Sequence, residues 1–123
     1  MNLTKIKELL KADVLVGEEF LDQVEVLTVC GADLMSDVLA FTKEKTLLLT
    51  GLTNNQVIRT AEMIDLSGIV FVRGKKPGPD VIKMAKEKRL PLLLTFYPLY
   101  ETCGILFHTG LQGCSGEYPK VRP

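Results

Sequence analysis

Four short apolar runs, Val24 to Cys30, Thr46 to Thr50, Ile69 to Val72 and Leu92 to Thr95, recur about every 22 residues, each followed by a turn and an amphipathic stretch. A strand covered by helices on both faces reads as a near-continuous apolar run, and a crossover of this length returns the chain parallel to the strand it left. The pattern predicts an α/β fold: a three-layer sandwich with a mainly parallel central sheet. With 123 residues, the chain is long enough to bury a core without metal or disulfide staples.

Ahead of these units, Leu3, Ile6, Leu9 and Leu10 share one face of a short amphipathic helix. Val14-Leu15-Val16 before Gly17 reads as a brief strand, and Glu18 to Asp22 as a turn into the first long strand, so this segment is expected to cover an edge or end of the sheet. The first crossover helix is expected to face inward through Leu34, Val38, Leu39 and Phe41, and the second through Val57, Ile58, Ala61 and Ile64. Thr53, Asn54 and Asn55 open the second helix with side chains suited to accept from free backbone N–H groups. Pro79 fits the first position of the third helix, where its missing donor leaves no bond unmade. The last helix runs from Pro98 to about His108, with Gly110 as its left-handed terminator. One domain is assigned to residues 1–111 and an exposed tail to 112–123.

The 15 basic and 15 acidic residues cancel, leaving no long-range field to gather nucleic acid or an anionic membrane. No signal peptide or membrane span is legible, and a cytoplasmic protein is expected. Cys30, Cys103 and Cys114 are odd in number and far apart in sequence, and are expected to stay reduced and take no part in catalysis.

In a parallel sheet every strand ends at the same edge, where helix N-termini favour an anion. That edge would gather Thr53, Asn54 and Asn55, then Arg73, Gly74 and Lys75, then Thr95, as a site for a small phosphorylated or nucleotide ligand; Arg73-Gly74-Lys75-Lys76 is its sharpest feature. The chain contains neither the Walker phosphate loop nor the dinucleotide glycine fingerprint. Val72 and Cys30 stand where a phosphoacceptor domain needs acidic residues, and His108, the one histidine, reads as a helix-end residue. No catalytic residue, metal or cofactor is assigned. The apolar surplus on the last helix, with Met35, Met63 and Met84 outside the narrow buried stripes, suggests a homodimer. A protein–protein scaffold without a small ligand is the alternative, and a small enzyme ranks behind both.

The lead-in Leu3-Thr4-Lys5-Ile6 with Val14 to Asp22, the turn Leu49-Thr50-Gly51-Leu52, the stretch Val70 to Gly74 with Pro77, and Leu90 to Thr95 together resemble a DRTGG domain across roughly Leu3 to Gly110. This small regulatory module occurs beside cystathionine-synthase-type domains and in phosphotransacetylase-like and pyrophosphatase proteins; the chain also resembles the amino-terminal domain of HPr kinase/phosphorylase. The family's aspartate and arginine appear here as Leu52 and Thr53, and its threonine-glycine-glycine as Val72-Arg73-Gly74, so Gly74 is the namesake position retained. The resemblance implies the corresponding α/β fold and a dimerising or ligand-sensing role, and supplies no catalytic residues.

Overall fold

In a computed structural model that describes residues 1–41 and 43–114, without the Phe41 side chain, one six-stranded sheet lies between two helical layers. In chain order the strands are β1 (Asp13–Val16), β2 (Thr28–Gly31), β3 (Thr46–Thr50), β4 (Gly68–Phe71), β5 (Leu92–Leu94) and β6 (Gln112–Gly113). The helices are α1 (Leu3–Leu10), α2 (Met35–Phe41), α3 (Asn55–Met63), α4 (Pro79–Glu87) and α5 (Leu99–His108). Across the sheet the order is β1-β5-β4-β3-β2-β6, with every pairing parallel except the antiparallel β1·β5 edge.

The two layers follow from strand alternation, because successive side chains point to opposite faces. Leu48, Ile69, Phe71, Leu92 and Leu94 meet α2, α3 and α4 through Val38, Val57, Ile58, Ala61, Val81 and Ala85. Leu47, Leu49, Val70 and Leu93 turn the other way, onto Leu3, Ile6 and Leu10 of α1 and Leu106 of α5. Leu47, Leu48 and Leu49 are all fully buried, so one tripeptide anchors both layers, each leucine contributing about 1.5–3 kcal/mol on burial.

Local chemistry fixes the ends of these elements. The Asn2 side chain accepts from the Lys5 backbone N–H to cap α1, and Lys11 leaves the helix in the left-handed region at φ 50°. Pro79 opens α4, and Gly110, at φ 97°, follows α5 with its N–H on the Phe107 carbonyl.

The structure revises several sequence expectations. The first long strand begins at Thr28 rather than Val24; residues 24–26 pair with the amino terminus, the Val26 N–H donating to Met1 O and the Leu3 N–H to Val24 O. Val26 is fully buried in the cluster containing α1, so the apolarity of this stretch reflects packing on that helix and not a place in the six-stranded sheet. On α2, Leu34 and Leu39 are 61% and 45% exposed, while Met35 and Val38 hold the inward face. The helix starts one residue after Leu34, which rotates the stripe onto Met35 and Val38; the expected Phe41 contact lies outside the described residues. Glu18–Gln23 form two short 3-10 turns that meet at a kink at Phe20, rather than one simple turn. Gln112 and Gly113, assigned to the tail, are exposed but pair with β2; residues 115–123 of that assignment lie outside the described residues.

Candidate functional site

Because β2, β3, β4 and β5 are parallel neighbours, the segments leaving their carboxyl ends meet along one edge. At the β2–β3 corner, Asp33 Oδ1 accepts from Thr50 Oγ1 at 2.9 Å and from the Gly51 N–H at 2.8 Å, and Thr50 Oγ1 in turn accepts from the Leu52 N–H. These bonds shape the turn after β3 and place a carboxylate at that end of the edge. An incoming anion is therefore disfavoured over β2 and directed toward β4 and β5.

Asn54 occupies the N-cap position of α3, but its side chain makes no capping hydrogen bond, contrary to the expectation that the Thr53-Asn54-Asn55 side chains serve the first turn. Asn54 is exposed and Thr53 half-buried; Asn55 holds its Oδ1 out of solvent with no hydrogen-bond partner among the described residues. An unpaired acceptor of this kind costs about 1–3 kcal/mol.

The turn after β4 is fixed by its own backbone. Arg73 sits at φ 58°, its N–H donating to the Tyr97 carbonyl at 2.9 Å; the Gly74 N–H donates to the Thr95 carbonyl at 2.9 Å and the Lys75 N–H to the Val72 carbonyl at 3.1 Å. The backbone donors that sequence reasoning offered to a phosphate are thus engaged internally, and what the turn presents outward is side-chain charge. Arg73, Lys75 and Lys76 are exposed, and among the described residues no ion pair occupies them. Gly74 has φ 67°, and a Cβ there would stand 2.7 Å from the Phe96 ring, so only glycine lets the edge of that ring come this close to the turn.

Thr95 is fully buried, its hydroxyl donating to the Leu10 carbonyl at 2.8 Å and accepting from the Tyr97 N–H at 3.3 Å. It ties α1 to the edge and points no free polar atom outward. Beside it, Leu10, Lys11, Thr95, Phe96, Tyr97 and Pro98 line an open, mainly apolar cavity of about 370 Å³. Phe96, 72% exposed, is shared between this cavity and the Gly74 turn, placing an aromatic ring beside the turn that carries Arg73 and Lys75. Sequence reasoning passed over Phe96; the signal available was the Phe96-Tyr97 pair directly after a strand. The edge thus juxtaposes a stacking surface and point charges.

A family model described as the DRTGG domain matches residues 5–109. A search of curated proteins gives no match. Among solved structures, the chain is similar to the CBS and DRTGG domains of the regulatory region of a Clostridium perfringens pyrophosphatase, crystallised with its activator diadenosine tetraphosphate, with a TM-score of 0.69 at 16% identity. That alignment takes in 93% of this chain and 48% of the other, so the chain spans about half the length of its structural neighbour.

Proposed function

The chain belongs to the DRTGG domain family, and from that premise we propose that it is a non-enzymatic regulatory module binding a small phosphorylated or nucleotide ligand at the carboxyl edge of its sheet. The observation that carries this reading is the exposed Phe96 ring lying against Gly74, between an apolar cavity and the turn whose exposed residues are Arg73 and Lys75. In the proposed pose a planar base stacks on Phe96 and the phosphates run toward Arg73 and Lys75. Thr53, Asn54 and Asn55 supply polar contacts from the neighbouring turn. Gly74 and Thr95 hold the floor of the site. The similar pyrophosphatase region has a dinucleotide polyphosphate as its activator, which makes diadenosine tetraphosphate and ATP the first ligands to try.

Calorimetric titration tests the reading. Micromolar binding is expected, weakened at least ~10-fold by Arg73→Ala with Lys75→Ala and by Phe96→Ala. Unchanged affinity in both variants would place the ligand elsewhere.

The homodimer is proposed on the α5 face. Tyr100 is 85% exposed and borders a largely apolar cavity of about 290 Å³ that Phe107, Leu111, Val29 and Gly113 also line. The same face supports the scaffold alternative. Sedimentation separates the two: a dimer that Tyr100→Ser dissociates supports self-association, and a monomer at all concentrations leaves the face to another protein.

A further inference from the structure

The three cysteines, distant in sequence, come together at the β2–β6 side of the sheet. β6 pairs in parallel with β2, Gln112 opposite Thr28 and Gly113 opposite Val29, so one further step along both chains sets Cys114 beside Cys30. Both side chains pack in the apolar cluster under α2, α3 and α4, and the Cys114 thiol is close enough to that of Cys30 to act on its ionisation. Cys103 belongs to the opposite face: its Sγ lies 2.8 Å from where a Cβ on Gly31 would stand, and it packs against the cluster of α1 and α5. Neighbouring strands lie about 4.7–4.9 Å apart, within the roughly 4.4–6.8 Å that the Cα atoms of a disulfide span. Cys114 lies in the turn just past β6, so no strand pairing holds its backbone against the small rotation that bonding requires.

We propose that Cys30 and Cys114 are an oxidisable dithiol whose disulfide staples the edge strand β6 to β2, with Cys103 taking no part. A low-molecular-weight disulfide is the oxidant. The Cys114 thiolate attacks one of its sulfurs, a mixed disulfide forms, and one small thiolate leaves; the Cys30 thiolate then attacks the Cys114 sulfur and expels the second. Two protein thiols become one disulfide, the small disulfide is reduced to two thiols, and the two protons released by the protein neutralise the two leaving thiolates. Burial pushes the Cys30 thiol up to about 12, so the half-buried Cys114 attacks first and Cys30 resolves the adduct.

The test uses the full chain, reduced and then exposed to oxidised glutathione under native conditions, with intact mass and peptide mapping as readouts. The expected product has lost two hydrogens and carries a Cys30–Cys114 link, which Cys103→Ser forms equally well. Cys30→Ala is expected to stop at a glutathione adduct on Cys114, and Cys114→Ala to form no internal link. Backbone hydrogen exchange at Gly113 is expected to slow at least ~10-fold on oxidation. If a variant fails to fold, thiol labelling of the wild type after oxidation and denaturation decides: one reactive cysteine, Cys103, supports the pair, and three overturn it. A link that includes Cys103, or a glutathione adduct on wild-type Cys114 that persists, also overturns it.

Discussion

At the scale of single residues, the polar edge is built from positions whose backbone and side-chain groups are largely committed to one another. Gly74 combines φ 67° with a ring 2.7 Å from its missing Cβ. Gly74→Ala is expected to destabilise the fold by about 1–2 kcal/mol, through left-handed strain together with displacement of Phe96. Because the ring is exposed and can swing away, Phe96→Ala in the same chain should recover the steric part; a denaturant double-mutant cycle with zero coupling would show that the ring does not rest on the turn. Thr95→Val keeps the shape and removes two bonds, leaving the Leu10 carbonyl and the Tyr97 N–H unpaired, and is expected to cost about 1–3 kcal/mol in chemical unfolding. Sequence reasoning placed both residues at the edge, since glycine and threonine after an apolar run mark a strand end. It could not see that Thr95 is turned inward, because the acceptor that holds it is 85 positions away.

Among elements, legibility tracked how completely each was enclosed. β3, buried at all five positions, coincides with its apolar run, and the carboxyl ends of β4 and β5 fall within a residue of theirs. The β2–α2 unit was harder to read. Its leading residues pack on α1 instead of joining the sheet, and α2, flanked on the outside by solvent, shows its apolar residues on more than one face, so periodicity alone put Leu34 inward and Met35 outside the buried stripe where the fold does the reverse. The contrast is measurable: Val38→Ala, at a fully buried position, is expected to cost about 1–3 kcal/mol, whereas Leu34→Ser should change stability by less than about 0.5 kcal/mol. Equal effects in thermal unfolding would mean that α2 packs through a different face. β6 escaped sequence reading for another reason: two residues ending in Gly113 have no periodicity to show, and only pairing with Thr28 and Val29 defines them as a strand.

For the whole molecule, topology puts residues from distant parts of the chain at one edge, and the lead-in segment does more than cover a sheet margin. α1 places the fully buried Leu3, Ile6 and Leu10 over Leu47, Leu49, Val70 and Leu93, while β1 pairs along β5. Burying those three side chains contributes about 5–9 kcal/mol, comparable with the roughly 5–15 kcal/mol of net stability an ordinary domain possesses. The Leu10 carbonyl is also the acceptor that holds Thr95 in place, so the same helix supports both the core and the floor of the proposed ligand site. A chain lacking residues 1–23 is therefore expected to lose cooperative unfolding in urea, followed by circular dichroism, along with any nucleotide binding. The single change Ile6→Ala separates the two contributions: with Thr95 and Leu10 intact, stability should fall by about 2–5 kcal/mol while ligand affinity, measured well below the unfolding midpoint, stays within about 2-fold of wild type. A truncated chain that still unfolded in one sharp transition would show that the remaining parallel strands and their helices form a complete core without α1.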